Sequence, residues 1–128
     1  MRTLLATGAF VALAALAGSA SAHHSTNLNY DVNKTVTFEA VFKDMQYLNP
    51  HSIMHFYAKD SSGADVLFSG ETHPISMLNR AGWRPGMFQP GEKLTLKGNP
   101  PRDAGRNAIH LLFVTEPNGK TWSVNSGN

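Results

Sequence analysis

The sequence predicts a mainly β fold: a small five-stranded OB-like Greek-key barrel with one short helix between strands three and four, preceded by a cleaved signal peptide. Two observations carry this. Apolar residues alternate with polar ones in five segments. A single stretch of helical spacing, opened by Pro74 and closed by Gly82, interrupts them after the third segment. A third observation defines the start. Arg2 precedes an Ala-rich apolar run from Leu4 to Ala17, and Ala20-Ser21-Ala22 is the small-x-small pattern cut by signal peptidase. The run is shorter than the about 20 residues that a spanning helix needs.

The expected organisation is therefore a signal peptide over 1–22, an extended polar arm over 23–33, the barrel over 34–124 and a frayed tail over 125–128. Cleavage leaves about 100 residues, enough for one small domain. The 11 Lys and Arg against 9 Asp and Glu are interspersed. That excludes the basic block of a nucleic-acid binder. There is no cysteine, hence no disulfide, no thiolate nucleophile and no Cys-based zinc site. A periplasmic or secreted location follows, with no membrane span after cleavage.

Thr35 to Leu48 is the first strand. Val36, Phe38, Ala40 and Phe42 share its core face, and the phase weakens near Asp44, where a bulge re-aims the chain. Asn49-Pro50 breaks the run. His51 to Lys59 is the second strand, with Met54, Phe56 and Ala58 on one face and Ile53, His55 and Tyr57 on the other. Asp60-Ser61-Ser62-Gly63 is turn chemistry, and Asp65 to Gly70 returns as a hairpin. The helix is expected over His73–Ala81. Pro74 suits its first position, Ile75, Leu78 and Ala81 its buried stripe, and Trp83 packs at its exit. Glu92 to Gly98 turns Leu94 and Leu96 inward. Asn99 to Asn107 is a loop. Ala108 to Thr115 is the fifth strand, with Leu112 in the core, and Lys120 to Val124 returns after the turn Glu116-Pro117-Asn118-Gly119.

Three groups are chemically suggestive. Cleavage after Ala22 frees the α-amine of His23, which with its own Nδ1 closes a chelate ring on one metal ion. His24 offers another mode, through the amine, an ionised peptide nitrogen and its imidazole. Such nitrogen sets suit Cu(II). His51, held behind Pro50 at a barrel rim, is the expected partner, so the metal ligands are His23, His24 and His51. His55 lies about 13 Å along the strand from His51 and is read as structural, beside Tyr57. His110 is read as a surface residue. Arg102, Asp103 and Arg106 form a solvated loop with a local ion pair rather than an anion grip.

The order of Ala22-His23-His24-Ser25, Asn49-Pro50-His51, His73-Pro74 with Met77-Leu78, Gly82-Trp83, Pro90-Gly91-Glu92-Lys93-Leu94 and Pro101-Arg102-Asp103 resembles a family of small exported bacterial proteins, the domain of unknown function DUF6152. The resemblance implies an exported barrel-like domain and supplies no activity. His73 departs from the family's more usual Ser and is read as a helix cap.

No G-x-S-x-G, H-E-x-x-H or phosphate loop is present, and Glu39, Glu71 and Glu92 are scattered. The chain therefore reads as an exported binding module without catalytic residues, with copper as the expected ligand. The alternative is an envelope barrel that binds a protein or small molecule beside an exported oxidoreductase, with no metal. A third reading is a copper-dependent oxidase-type enzyme.

Overall fold

A computed structural model describes residues 26–125. The strands are β1 (Val36–Gln46), β2 (Ile53–Lys59), β3 (Asp65–Glu71), β4 (Lys93–Asn99), β5 (Ala108–Thr115) and β6 (Thr121–Ser123). A helix, α1 (Ile75–Arg80), lies between β3 and β4. Strands pair in the order β3-β2-β1-β4-β5-β6, and a further β3–β5 pairing closes the first five into a barrel. That closing seam is parallel, from Ser69↔Ala108 to Glu71↔His110, whereas the other pairings are antiparallel. The result is the expected OB-like barrel, with β6 added as a hairpin return on β5.

β1 serves two neighbours. Val36 to Val41 pairs with β4, and Val41 to Gln46 pairs with β2. The register with β2 shifts between Phe42 and Asp44, where the alternation weakens in the sequence. An extra residue there bends the strand and lets it turn from one neighbour to the other.

Pro74 is the N-cap of α1 rather than its first helical residue, with φ −57° and ψ 156°. His73 does not cap the helix. The side-chain oxygen of Asn49 accepts from the Ile75 N–H at 3.2 Å. Leu78 is fully buried, Ala81 half-buried, and Gly82 leaves the helix at φ +93°, a conformation open to glycine. Trp83 follows, fully buried, its indole donating to the Ser123 carbonyl at 2.7 Å.

The core joins Phe42, Met54, Phe56, Leu94, Leu96 and Ile109 to Leu78 and Trp83. Leu112 is not in it. Gly98 faces Leu111 and Lys97 faces Phe113, so Leu112 is the extra residue of a bulge. The inward phase therefore jumps from Ile109 and Leu111 to Val114. Val36 and Phe38 point inward and pack on the core but stay half-buried. Phe56→Ala is thus expected to cost about 3–5 kcal/mol, and Phe38→Ala less. Urea midpoints that reverse this order would put the β1 face the other way round.

The arm is not extended throughout. Residues 26–29 form a helical turn, with the Tyr30 N–H donating to the Thr26 carbonyl at 2.9 Å. Tyr30 is 2% exposed and bridges to Pro101. A loop expected to be solvated holds the arm instead. Arg102 donates from its backbone N–H to Asn29 O at 2.9 Å and from Nε to Asn27 O at 2.7 Å. Arg106 sits 5.6 Å over the Tyr30 ring, and Asp103 accepts from the Gly105 N–H. No Arg–Asp ion pair forms within this loop among the described residues.

Candidate metal centre

His51 stands in the β1–β2 loop just before β2. The loop is pinned by Ser52, whose hydroxyl accepts from Leu48 N–H at 3.0 Å and donates to Leu48 O at 3.1 Å. The β2–β3 ladder continues past its named ends, through Thr72 N–H to Ser52 O at 2.9 Å and Ser52 N–H to His73 O at 3.0 Å. That extension carries His51 alongside the chain leaving β3. The parallel seam sets His110 opposite Glu71. Four residues far apart in sequence, His51, Glu71, His73 and His110, therefore gather at one end of the barrel.

The hydrogen bonds decide what the imidazoles offer. His51 Nδ1 lies 3.0 Å from Thr72 O, with Glu71 Oε1 at 3.6 Å. A carbonyl only accepts, so Nδ1 carries the proton, and in the neutral ring Nε2 keeps its lone pair. His110 Nδ1 lies 2.9 Å from Asn99 Oδ1. The Asn99 amide is oriented by its own donation to Lys34 O at 2.8 Å, so His110 also donates from Nδ1. This pattern, Nδ1–H on a fixed oxygen and Nε2 free to bind, is how metal-ligating histidines are oriented. Burial, with His73 next, pushes the His110 pKa below its ordinary value. The ring is neutral at pH 7 and in the form that donates a lone pair.

Tyr30 closes the cluster from the arm. Its hydroxyl donates to Glu71 Oε2 at 3.0 Å, and its ring lies 5.7 Å from that of His110. His73 meets the His110 ring edge-on at 6.1 Å and Asn125 Oδ1 at 2.7 Å from Nε2. Burial, then the Glu71 carboxylate, raise the Tyr30 phenol to about 12. The folded state holds this proton more tightly than the unfolded chain, whose phenol titrates near 10. The stability it contributes is intact below pH 10 and is lost as pH rises through 12. Alkaline absorbance titration should show a phenol ionising near pH 12 that is missing in Tyr30→Phe. An identical curve for the variant would remove the Tyr30–Glu71 contact.

Of the residues singled out in the sequence, His51 lies in this cluster. His23 and His24 lie outside the described residues. His55 belongs elsewhere, on the outer face of β2, with Nδ1 2.5 Å from Asp44 Oδ1. That hydrogen bond holds the Asp44 carboxyl below its usual range. His110 is not the plain surface residue expected of it. Nothing in the local pattern Ile109-His110-Leu111 marks it, because its neighbours come from the β3–β5 seam. Among the described residues, no three His, Asp or Glu side chains are grouped closely enough to hold an ion by themselves.

Residues 11–110 match the model of a family of unknown function, DUF6152. The chain belongs to that family. The DUF6152 match reaches from the N-terminal apolar stretch through His110, so it takes in His51, Glu71, His73 and His110 and stops short of β6. No curated protein and no solved structure matches the chain. No helix among the described residues is long and apolar enough to cross a membrane.

Proposed function

We propose that this DUF6152 chain is an exported, periplasmic or secreted copper-binding module. In this reading Cu(II) is held by the amine and Nδ1 of His23, freed by cleavage after Ala22, together with Nε2 of His51. His110 offers a further imidazole, and His24 supplies the competing donor set. The observation that carries the reading is the locked pair His51 and His110, each with Nδ1–H on a fixed oxygen and Nε2 left to bind.

The arm leads from this cluster toward the chain's start. Thr26 is one helical turn from Tyr30, about 6 Å, and Tyr30 touches both Glu71 and His110. His23 precedes Thr26 by three residues, a reach of about 11 Å. Metal binding to an amine and imidazoles displaces protons, so it is favoured as pH rises.

Intact-mass analysis of exported protein is expected to give a chain beginning at His23; a chain that keeps residues 1–22 would remove the amine chelate. Copper titration of the protein beginning at His23 is then compared with three others. Acetylation of the His23 α-amine, or His51→Ala, should each weaken Cu(II) binding at least about tenfold. His55→Ala should leave it unchanged. Wild-type affinity should fall as pH drops through the imidazole range, because protons compete for the same lone pairs. Equal affinity in all four proteins would reject the site.

A further inference from the structure

A second feature, joined to the histidine cluster through Arg106 on Tyr30, lies where the barrel seam is incomplete. β3 pairs with β5 only from Ser69 to Glu71. Its first half, from Asp65 to Phe68, has no β5 partner, and the loop over 100–107 covers the gap. Between them is an open cleft. Its walls include Phe38, Phe68, Pro101 and Ala104, and Lys59 and Arg106 stand among its lining residues.

The cleft explains why Phe38 is not fully buried. Phe38 points inward on β1, with its ring 5.2 Å from Phe68 and 6.2 Å from Phe56. Phe56 and Phe68 stack at 5.5 Å with 19° between their planes, and both are buried. The three rings make one aromatic floor, and Phe38 is the member left facing the opening. Apolar surface inside a concave site is where a planar apolar ligand gains most from leaving water.

The charges at the cleft are unequal in their commitments. Asp60 is consumed by its own turn. Its carboxylate accepts from Ser62 Oγ at 2.6 Å, Ser62 N–H at 2.8 Å and Ala64 N–H at 3.1 Å. Lys59 is paired with Asp65 at 2.8 Å. Arg106 lies over the face of Tyr30, interacts with its hydroxyl through charge and a side-chain hydrogen bond, and has no carboxylate at ion-pair distance among the described residues. A planar guanidinium without a carboxylate partner is suited to a fork of two hydrogen bonds to an incoming one. We infer that this cleft binds a small aryl carboxylate, its ring on the Phe38–Phe68 floor and its carboxylate on Arg106.

The test is made on chelator-treated protein, so that its outcome does not depend on copper. The probe is 2-naphthoate, with 2-naphthamide as the uncharged counterpart of the same shape. Binding is followed by amide NMR shifts in the wild type and in Arg106→Gln. The expected result is saturable binding of 2-naphthoate below millimolar, with the shifts centred on Phe38, Phe68 and Ala108. Wild-type protein should bind 2-naphthamide at least about tenfold more weakly. Arg106→Gln should bring the two ligands to similar affinity by weakening 2-naphthoate alone. No saturation at millimolar probe, shifts centred elsewhere, or equal wild-type affinity for the two probes would each overturn the assignment. The last comparison needs no variant, so it stands even if Arg106→Gln disturbs Tyr30.

Discussion

Gly98→Ala is expected to destabilise the barrel by about 3 kcal/mol or more, the upper end of what overpacking does. Gly98 sits in β4 between Val36 of β1 and Leu111 of β5, beside the β5 bulge. A Cβ placed there collides with the His110 carbonyl oxygen and comes within 2.6 Å of Ile109 Cγ1. The first obstacle is backbone, which cannot rotate away as a side chain can. Relief requires β4 and β5 to separate at the layer that carries Ile109 and Leu111. Gly70→Ala is the matched control. Its Cβ would meet Phe56 Cε1 at 3.5 Å and Met54 O at 3.6 Å, ordinary contacts. Gly70→Ala should therefore stay within about 1 kcal/mol of wild type. Urea midpoints by far-UV circular dichroism separate the two. Equal midpoints for the two variants would mean that β4 and β5 are not so closely apposed.

Trp83→Ala should cost about 3–5 kcal/mol. Trp83 is 0% exposed and joins parts of the chain that nothing local holds together. Its ring meets Phe88 edge-on at 5.6 Å, and Phe88 in turn packs on Phe42 of β1 at 5.8 Å. Its indole N–H reaches Ser123 in β6. Truncation opens a large cavity and leaves the Ser123 carbonyl without that donor. Trp83→Phe should recover much of the packing and still lack the hydrogen bond, worth about 1 kcal/mol. The other tryptophan, Trp122, is half-buried with Lys120 Nζ 4.1 Å over its ring. It remains as a fluorescence reporter in both variants. A Trp83→Ala midpoint close to wild type would mean that the segment after α1 is not anchored through this ring.

Much of the candidate metal centre was not legible in the sequence. His51 stood out because Asn49-Pro50 stops one strand before the next begins. His110 and Glu71 did not, since each lies in a strand whose local pattern says only which face it is on. Tyr30 was hidden in a polar stretch with little periodicity, yet it is among the most buried aromatic residues described here. Leu112 misled for a related reason. Alternation places it among the core residues of β5, but a bulge consumes one residue, and the phase after Leu111 is set by pairing with β4 rather than by hydrophobicity.

The sequence by itself determined the elements that rest on short-range chemistry. Period-two alternation marked the strands, the turn residues marked the hairpin, and the spacing from Pro74 to Gly82 marked the helix between β3 and β4. From their order came the OB-like barrel. Only the tertiary structure decided which histidines meet. The β3–β5 seam joins Ser69–Glu71 to Ala108–His110 in parallel, across nearly forty positions of chain. A parallel pairing leaves no short turn in the sequence to announce it, and its register is selected by how the whole barrel closes. The same closure sets His110 beside Glu71 and Tyr30, and leaves the first half of β3 without a β5 partner.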